Sequence, residues 1–200
     1  MCSTRGTASP YALNDALIYD DEVQLYRAAR VAVDPTISYL ALAARLSANP
    51  KLLDADSEVA PFISLDNFEW MLKMPPSERS RMERAARDAR VTTAKLARAG
   101  VTLGTGTDIW QLPTAVHMEL EELVASGLTP AEAIRAGTSA AARIIGAEKE
   151  LGSVEQGKLA DLVILDADPL ADIRNTRRIA AVIRDGRVVD RAAIRRALTR

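Results

Sequence analysis

The sequence predicts an α/β chain whose last quarter is a separate β-only unit. Three observations predict it. A helical apolar stripe from Pro76 to Ala97 stops at Gly100 and runs at once into the short apolar segment Val101 to Gly104. Helix, glycine and short apolar strand make the αβ half of an α/β unit. Two more helices follow, closed by Gly127 and Gly146. From Leu151 the character changes, and Gly152, Gly157 and Gly186 punctuate β-rich runs.

Each element follows from its residues. Residues 1–15 are polar and without periodicity, and are expected to be irregular. From Asp20, Val23, Tyr26 and Ala29 or Arg30 fall at helical spacing. Val31 to Ser38 reads as a short strand broken by Pro35, since proline marks a strand's end or edge. Tyr39 to Leu46 is a short Ala/Leu-rich helix that stops before Pro50. Residues 50–76 hold four prolines and several acids and are expected to be irregular. Pro76-Ser-Glu78 opens the long helix, with Met82, Ala85, Ala86, Ala89, Leu96 and Ala97 on one stripe.

Beyond a loop, Thr114 to Ser126 is the next helix, with Val116, Leu120, Leu123 and Val124 on one face. Glu119, Glu121 and Glu122 fall largely on the other face and read as solvated. Thr129-Pro-Ala-Glu132 is a capping box with proline at the first helical position, and its helix runs to about Ile145. In the β-only unit, Ala160 to Asp166 is an apolar strand, and Ile179 to Val189 is a hairpin turning at Asp185-Gly186. A short helix ends the chain. Two domains are expected, 1–150 and 151–200.

Composition narrows the function classes. Hydrophobic residues make up 48% of the 200, so the chain can fold around a real core. Its 26 basic and 27 acidic residues leave a net charge of −1, which gives no electrostatic argument for nucleic acid or an anionic membrane. The Arg-rich end from Arg174 reads as a solvated basic face. Cys2 is the only cysteine, which excludes an internal disulfide and a Cys-rich zinc site. With no secretory h-region and no membrane-length apolar run, a soluble cytoplasmic protein is expected.

The residue most suggestive of chemistry is Asp108, at the end of Val101-Thr-Leu-Gly-Thr-Gly-Thr-Asp108. A carboxylate where a buried strand gives way to a loop is placed for chemistry, although aspartate also caps helices and forms turns. A dinucleotide loop fails here, because G-x-G-x-x-G needs glycine where Ile109 stands and a helix directly after. The Gly-Lys-Ser/Thr of a phosphate loop is missing as well.

Taken together, the motifs resemble the carboxyl-terminal part of the amidohydrolase superfamily, specifically imidazolonepropionase-like and related metal-dependent hydrolases. The resemblance rests on Gly104-Thr-Gly-Thr-Asp108, on His117-Met-Glu-Leu-Glu-Glu-Leu-Val-Ala-Ser-Gly-Leu-Thr-Pro-Ala-Glu-Ala133 and on Gly137-Thr-Ser-Ala-Ala-Ala-Arg143. It continues through Leu151-Gly-Ser-Val-Glu-Gln-Gly-Lys-Leu-Ala-Asp-Leu-Val-Ile-Leu-Asp166 and Asp168-Pro-Leu-Ala-Asp172. It is dense over 100–189 and fainter from Asp20 to Ser38.

The resemblance implies a partial (β/α)8, TIM-type barrel, made of its last strands and helices, followed by part of a small β-sandwich. It implies hydrolysis of non-peptide or cyclic amide carbon–nitrogen bonds in a small molecule, with a divalent metal, zinc by preference, at the carboxyl-terminal face of the strands. Val101–Gly104 would be the eighth strand. Asp108 would bind the metal and take the proton of the attacking water. Trp110, Gln111 and His117 are the candidates for a substrate rim, His117 having the alternative of packing between helices. Thr138, Ser139, Lys158, Asp161 and Asp166 read as structural.

The sequence departs from the family in its ligands. It holds one histidine, His117, and no His-x-His pair. About two barrel strands are expected in the chain, which would begin after the sixth. A carboxyl-terminal fragment, inactive alone, is therefore expected. The alternative is a non-catalytic module, or one half of a split enzyme. Exposed edges of a parallel barrel invite pairing with a copy of the chain or with a complementing chain.

Overall fold

Ala32–Val33 (β2) lies at the centre of a small parallel sheet. The computed structural model describes residues 7–8, 18–53, 68–109, 112 and 114–198. On one side of β2, Thr7–Ala8 (β1) pairs in parallel, with Thr7 opposite Ala32 and Ala8 opposite Val33. On the other side Val33 bridges Leu103, also in parallel. There the Val33 N–H donates to Thr102 O at 3.0 Å and the Gly104 N–H to Val33 O at 2.9 Å. Three parallel segments thus stand side by side, where about two barrel strands were expected. The extra one, β1, falls inside the stretch read as irregular.

Parallel neighbours need long crossovers, and here these are helical. Asp20–Ala29 (α1) connects toward β2 with three acids in its first turn, a favourable placement at a helix's positive end. From β2 the chain passes through Ile37–Ala48 (α2), Glu69–Leu72 (α3) and the long Pro76–Arg98 (α4) before reaching Leu103. Helix α2 starts two residues before the expected Tyr39 and is buried on most sides: Ile37, Leu40, Leu42, Ala43 and Leu46 are all nearly inaccessible. It packs on α4 through Ala85, Ala86 and Ala89, whose small side chains let the two helices approach closely. Helix α4 ends as the sequence indicates, with Gly100 at φ +77°, where a side chain would be strained.

After the Asp108 loop come Ala115–Ala125 (α5) and Pro130–Arg135 (α6). The capping box forms as expected: Thr129 Oγ1 accepts from the Glu132 N–H, and Glu132 accepts from the Thr129 N–H. Helix α6 widens into a π turn over Ala136–Ala140 and closes as Ala141–Ile144 (α7). The main core gathers Val33, Leu96, Leu103, Leu120, Leu123 and Ala133 beneath the sheet. A second cluster joins Leu42, Leu46, Phe68, Met71 and Ile109.

The final unit is a three-stranded antiparallel sheet of Leu162–Leu165 (β3), Ile179–Arg184 (β4) and Arg187–Val188 (β5). Asp185 and Gly186 both take positive φ (49° and 72°), the backbone of a two-residue hairpin turn. Arg191–Leu198 (α8) follows. None of the described helices is long and apolar enough to cross a membrane.

Candidate functional site

The loop from Gly104 to Asp108 leaves the carboxyl end of the Leu103 segment, beside the end of β2. Its two glycines leave space for the neighbouring turn. A Cβ on Gly104 would stand 2.0 Å from Asp34 Oδ1 and 2.9 Å from Ile144 Cδ1. One on Gly106 would stand 2.7 Å from Thr36 Oγ1 and 3.1 Å from Asp34 Cβ. The glycines read in sequence as a loop signature are therefore packing requirements: the Asp34–Thr36 turn lies directly on them.

Asp108 itself is exposed and adopts φ +50°, a left-handed conformation that aspartate tolerates better than most residues. The next residue, Ile109, is buried in the second core cluster and anchors the loop's far end. Asp108 thus sits between an interlocked turn and a buried anchor, with its carboxylate at the surface of the strands' carboxyl ends.

Two side chains of α2 and its approach share this region. Burial pushes the Asp34 carboxyl above its ordinary range. Burial, together with the nearby Asp108 charge, raises the Tyr39 phenol. Tyr39 packs against Trp70 of α3, with ring centroids 5.9 Å apart. Asp34, Tyr39 and Trp70 were not anticipated as site residues. The sequence reads Val31 to Ser38 as a strand broken by Pro35, whereas the strand ends at Val33 and a turn follows, whose contact with Gly104 spans about seventy residues.

The acids of α5 differ from the sequence expectation. Glu119 is fully buried and Glu122 nearly so, not solvated. Glu119 accepts from the Ile37 N–H at 3.1 Å and the Ser38 N–H at 2.7 Å, at the start of α2. Burial pushes its carboxyl up to about 7, against the pull of those amides, and the nearby Glu122 charge adds to the rise. Glu122 pairs with Arg90 of α4 at 2.6 Å, and the half-buried Glu121 pairs with Arg177 at 2.8 Å. A helical wheel shows only the face, and each partner lies far along the chain.

His117 meets Thr176 at 3.1 Å, in the short helical turn Ile173–Arg177 that leads to β4. The Thr176 hydroxyl also lies 2.8 Å from Ile173 O, so it is held between His117 Nδ1 and the backbone of its own turn. Trp110 and Gln111 lie outside the described residues. Among the described residues no group of three or more His, Cys, Asp or Glu side chains could hold a metal ion. Asp108 offers one donor, and a divalent ion at a catalytic site takes about three protein ligands. The residues described do not fit a complete metal site.

Three parallel segments with helical crossovers carry Asp108 at their carboxyl-terminal face, and an antiparallel unit follows them. The model of the amidohydrolase family matches residues 18–189, and the chain belongs to that family. Its likeness to imidazolonepropionase is direct: it is 45% identical over 74 residues to that protein of Symbiobacterium thermophilum, covering 35% of this chain and 17% of the relative. It is 36% identical over 91 residues to 5-methylthioadenosine/S-adenosylhomocysteine deaminase of the same organism, covering 40% of this chain and 21% of the relative. A solved Xaa-Pro dipeptidase with bound methionine superposes with a TM-score of 0.67 at 24% identity, covering 92% of this chain and 39% of that one, a likeness of fold. The chain spans about a fifth of the length of the first curated relatives it matches.

Proposed function

We propose that this chain supplies the last strands of a metal-dependent amidohydrolase barrel that hydrolyses carbon–nitrogen bonds in a small, non-peptide or cyclic amide-type molecule. Asp108 is its catalytic carboxylate and contributes one donor to a divalent metal, zinc by preference. Residues 1–150 belong to the barrel and 151–200 to a sandwich portion with its terminal helix. The observation that carries this reading is the position of Asp108, at the carboxyl end of the last parallel segment and interlocked with the end of its neighbour. Deaminase and imidazolonepropionase relatives support the bond class. When bound, the metal supplies Lewis-acid activation of water. The part this chain plays is to hold a carboxylate where it can accept a proton. Trp110 and Gln111, two and three residues after Asp108, are the candidates for the substrate rim. The bond from His117 to Thr176 favours its packing role over the rim.

The 200 residues alone are expected to be inactive and to need the remaining donors from further polypeptide, covalent or separate. Among the described residues the parallel pairing runs from β1 on one side to Leu103 on the other, which supports completion by further polypeptide, another chain or a copy. The test is metal content and hydrolysis of the purified 200-residue protein after zinc loading. Much less than one equivalent of tightly bound zinc and no turnover of imidazolone or adenosine-type substrates are expected. Near-stoichiometric, tightly held zinc would overturn the incomplete-site reading. Full zinc binding and turnover without added polypeptide would overturn the need for a completing chain.

A further inference from the structure

We propose that Glu119 is a positioning residue for the Asp108 loop, acting from α5 through the first turn of α2 and the Asp34–Thr36 turn. This rests on the reading of Asp108 as the site carboxylate for its meaning, but the mechanical link stands on the fold.

The first turn of a helix leaves backbone N–H groups without intrahelical partners. Helix α2 begins after Thr36, whose side chain gives no capping bond. Ile37 and Ser38 are fully buried, so water cannot satisfy their amides. Glu119 supplies both acceptors, one carboxylate oxygen to each, from 82 and 81 residues away. Above about pH 7, where Glu119 is ionised, this fully buried carboxylate at the positive end of a buried helix is a strong, directional clamp.

The clamp acts on a turn that is strained. Thr36 is β-branched and sits at φ +55°, a conformation such residues avoid. Strain of this kind persists where the surroundings over-determine the backbone. Three restraints do so here: the Glu119 clamp on the next two amides, the Thr36 hydroxyl donating to Asp34 O at 3.2 Å, and the contact of Asp34 and Thr36 with Gly104 and Gly106. The last contact is close: a Cβ on Gly104 would stand 2.0 Å from Asp34 Oδ1, and one on Gly106 2.7 Å from Thr36 Oγ1, both side-chain atoms of the turn. Asp108 follows two residues after Gly106. Releasing the clamp therefore frees the Asp34–Thr36 turn, and with it the surface on which the Asp108 loop rests.

The test is residue-resolved amide hydrogen exchange on the 200-residue protein, which needs neither metal nor activity. Glu119→Gln keeps the volume but replaces one acceptor oxygen with a group that cannot accept. Exchange at Ile37 or Ser38 is expected to rise at least tenfold, and at Gly104 and Ile109, the loop amides with hydrogen-bond partners, at least threefold. Ala86 and Ala89 in α4 and Val182 in β4 are expected to change less than twofold. An unchanged loop beside a loosened Ile37 or Ser38, or an equal rise at Ala86 and Ala89, overturns the proposal. Gly106→Ala tests the link from the other end and covers a poorly folded Glu119 variant. Coupling between two sites is reciprocal, so this change is expected to raise exchange at Ile37 and Ser38 at least threefold. No change there overturns the link. If the zinc test above fails while these exchange patterns hold, the functional reading falls and the positioning link stands.

Discussion

The Cα of Ser139 lies 2.9 Å from the point where a Cβ on Gly152 would stand, and Ala142 Cβ lies 2.6 Å from it. Gly152, at φ +90°, opens the second unit and rests on the π turn that carries Gly137-Thr-Ser139. Two motifs that are separate in sequence thus form one contact. Gly152→Ala should destabilise through two effects, a strained φ and overlap with backbone, for a total of about 3 kcal/mol. Gly157→Ala is the comparison: φ is +92° but nothing lies within 4 Å. It should lose only the backbone contribution, ~1 kcal/mol. Urea denaturation of both variants measures the difference, and equal losses would show that the contact is not tight.

Glu119 gives the chain a pH-dependent stability of unusual sign. Burial pushes its carboxyl up to about 7, well above the usual glutamate range. The folded state therefore holds a proton that the unfolded chain has released. That contribution is fully present below about pH 4.5 and is lost as pH rises through about 7. Stability should fall by up to ~3 kcal/mol across that window from this group alone. The groups around it are the Ile37 and Ser38 amides from α2, Glu122 on its own helix, and Arg90 of α4, which pairs with Glu122. Glu119→Gln should flatten the curve between pH 5 and 8, since the amide does not titrate. Denaturation midpoints across that range measure it. An unchanged slope in the variant would place the proton elsewhere.

These cases separate what a sequence discloses from what it hides. The helix of Thr129 and Glu132 and the turn at Asp185-Gly186 were legible because their stabilising groups lie within three residues of one another. Gly100 was legible because a positive φ at a helix end calls for glycine whatever surrounds it. Strand β1 was not, because two residues carry no periodicity. The acids of α5 were misread for a different reason. Three glutamates on one helix face are most simply solvated, and only the folded chain brings them Ile37, Ser38, Arg90 and Arg177. Asp108 was found from its place after a strand. The neighbours that hold its loop, Asp34 and Thr36, come from another strand's end.

Asp108 itself should be dispensable for folding. It is exposed and left-handed, and asparagine tolerates that conformation equally well. Asp108→Asn should leave stability within about 0.5 kcal/mol. Asp108→Val should lose ~1–2 kcal/mol, because a β-branched side chain resists positive φ. In a protein with the complete barrel, Asp108→Asn should lower kcat by at least ~100-fold through loss of the proton acceptor. Thermal melts beside turnover assays check both halves. Full activity in the asparagine variant would remove Asp108 from the chemistry.

Arg90 and Glu122 join α4 to α5 at 2.6 Å, with side-chain exposures of 31% and 9%. With its carboxylate buried and its guanidinium partly exposed, the pair gains little over apolar replacements, but removing the arginine strands the buried charge. The stranded charge here is Glu122, and Glu119 stands close enough for each to feel the other. Arg90→Met should therefore destabilise by about 2–3 kcal/mol at pH 8, where Glu119 has released its proton. The loss should shrink toward pH 5 as Glu119 takes up its proton and the repulsion fades. Arg90→Met with Glu122→Met should fall within ~1 kcal/mol of the parent, because neither charge is left behind. Glu122→Gln alone should lower the Glu119 pKa, since one cause of its elevation is gone. A double-mutant cycle in urea at both pH values resolves these terms. If the single and double variants lose equal stability at pH 8, the pair contributes through packing of the arginine stem and not through its charge.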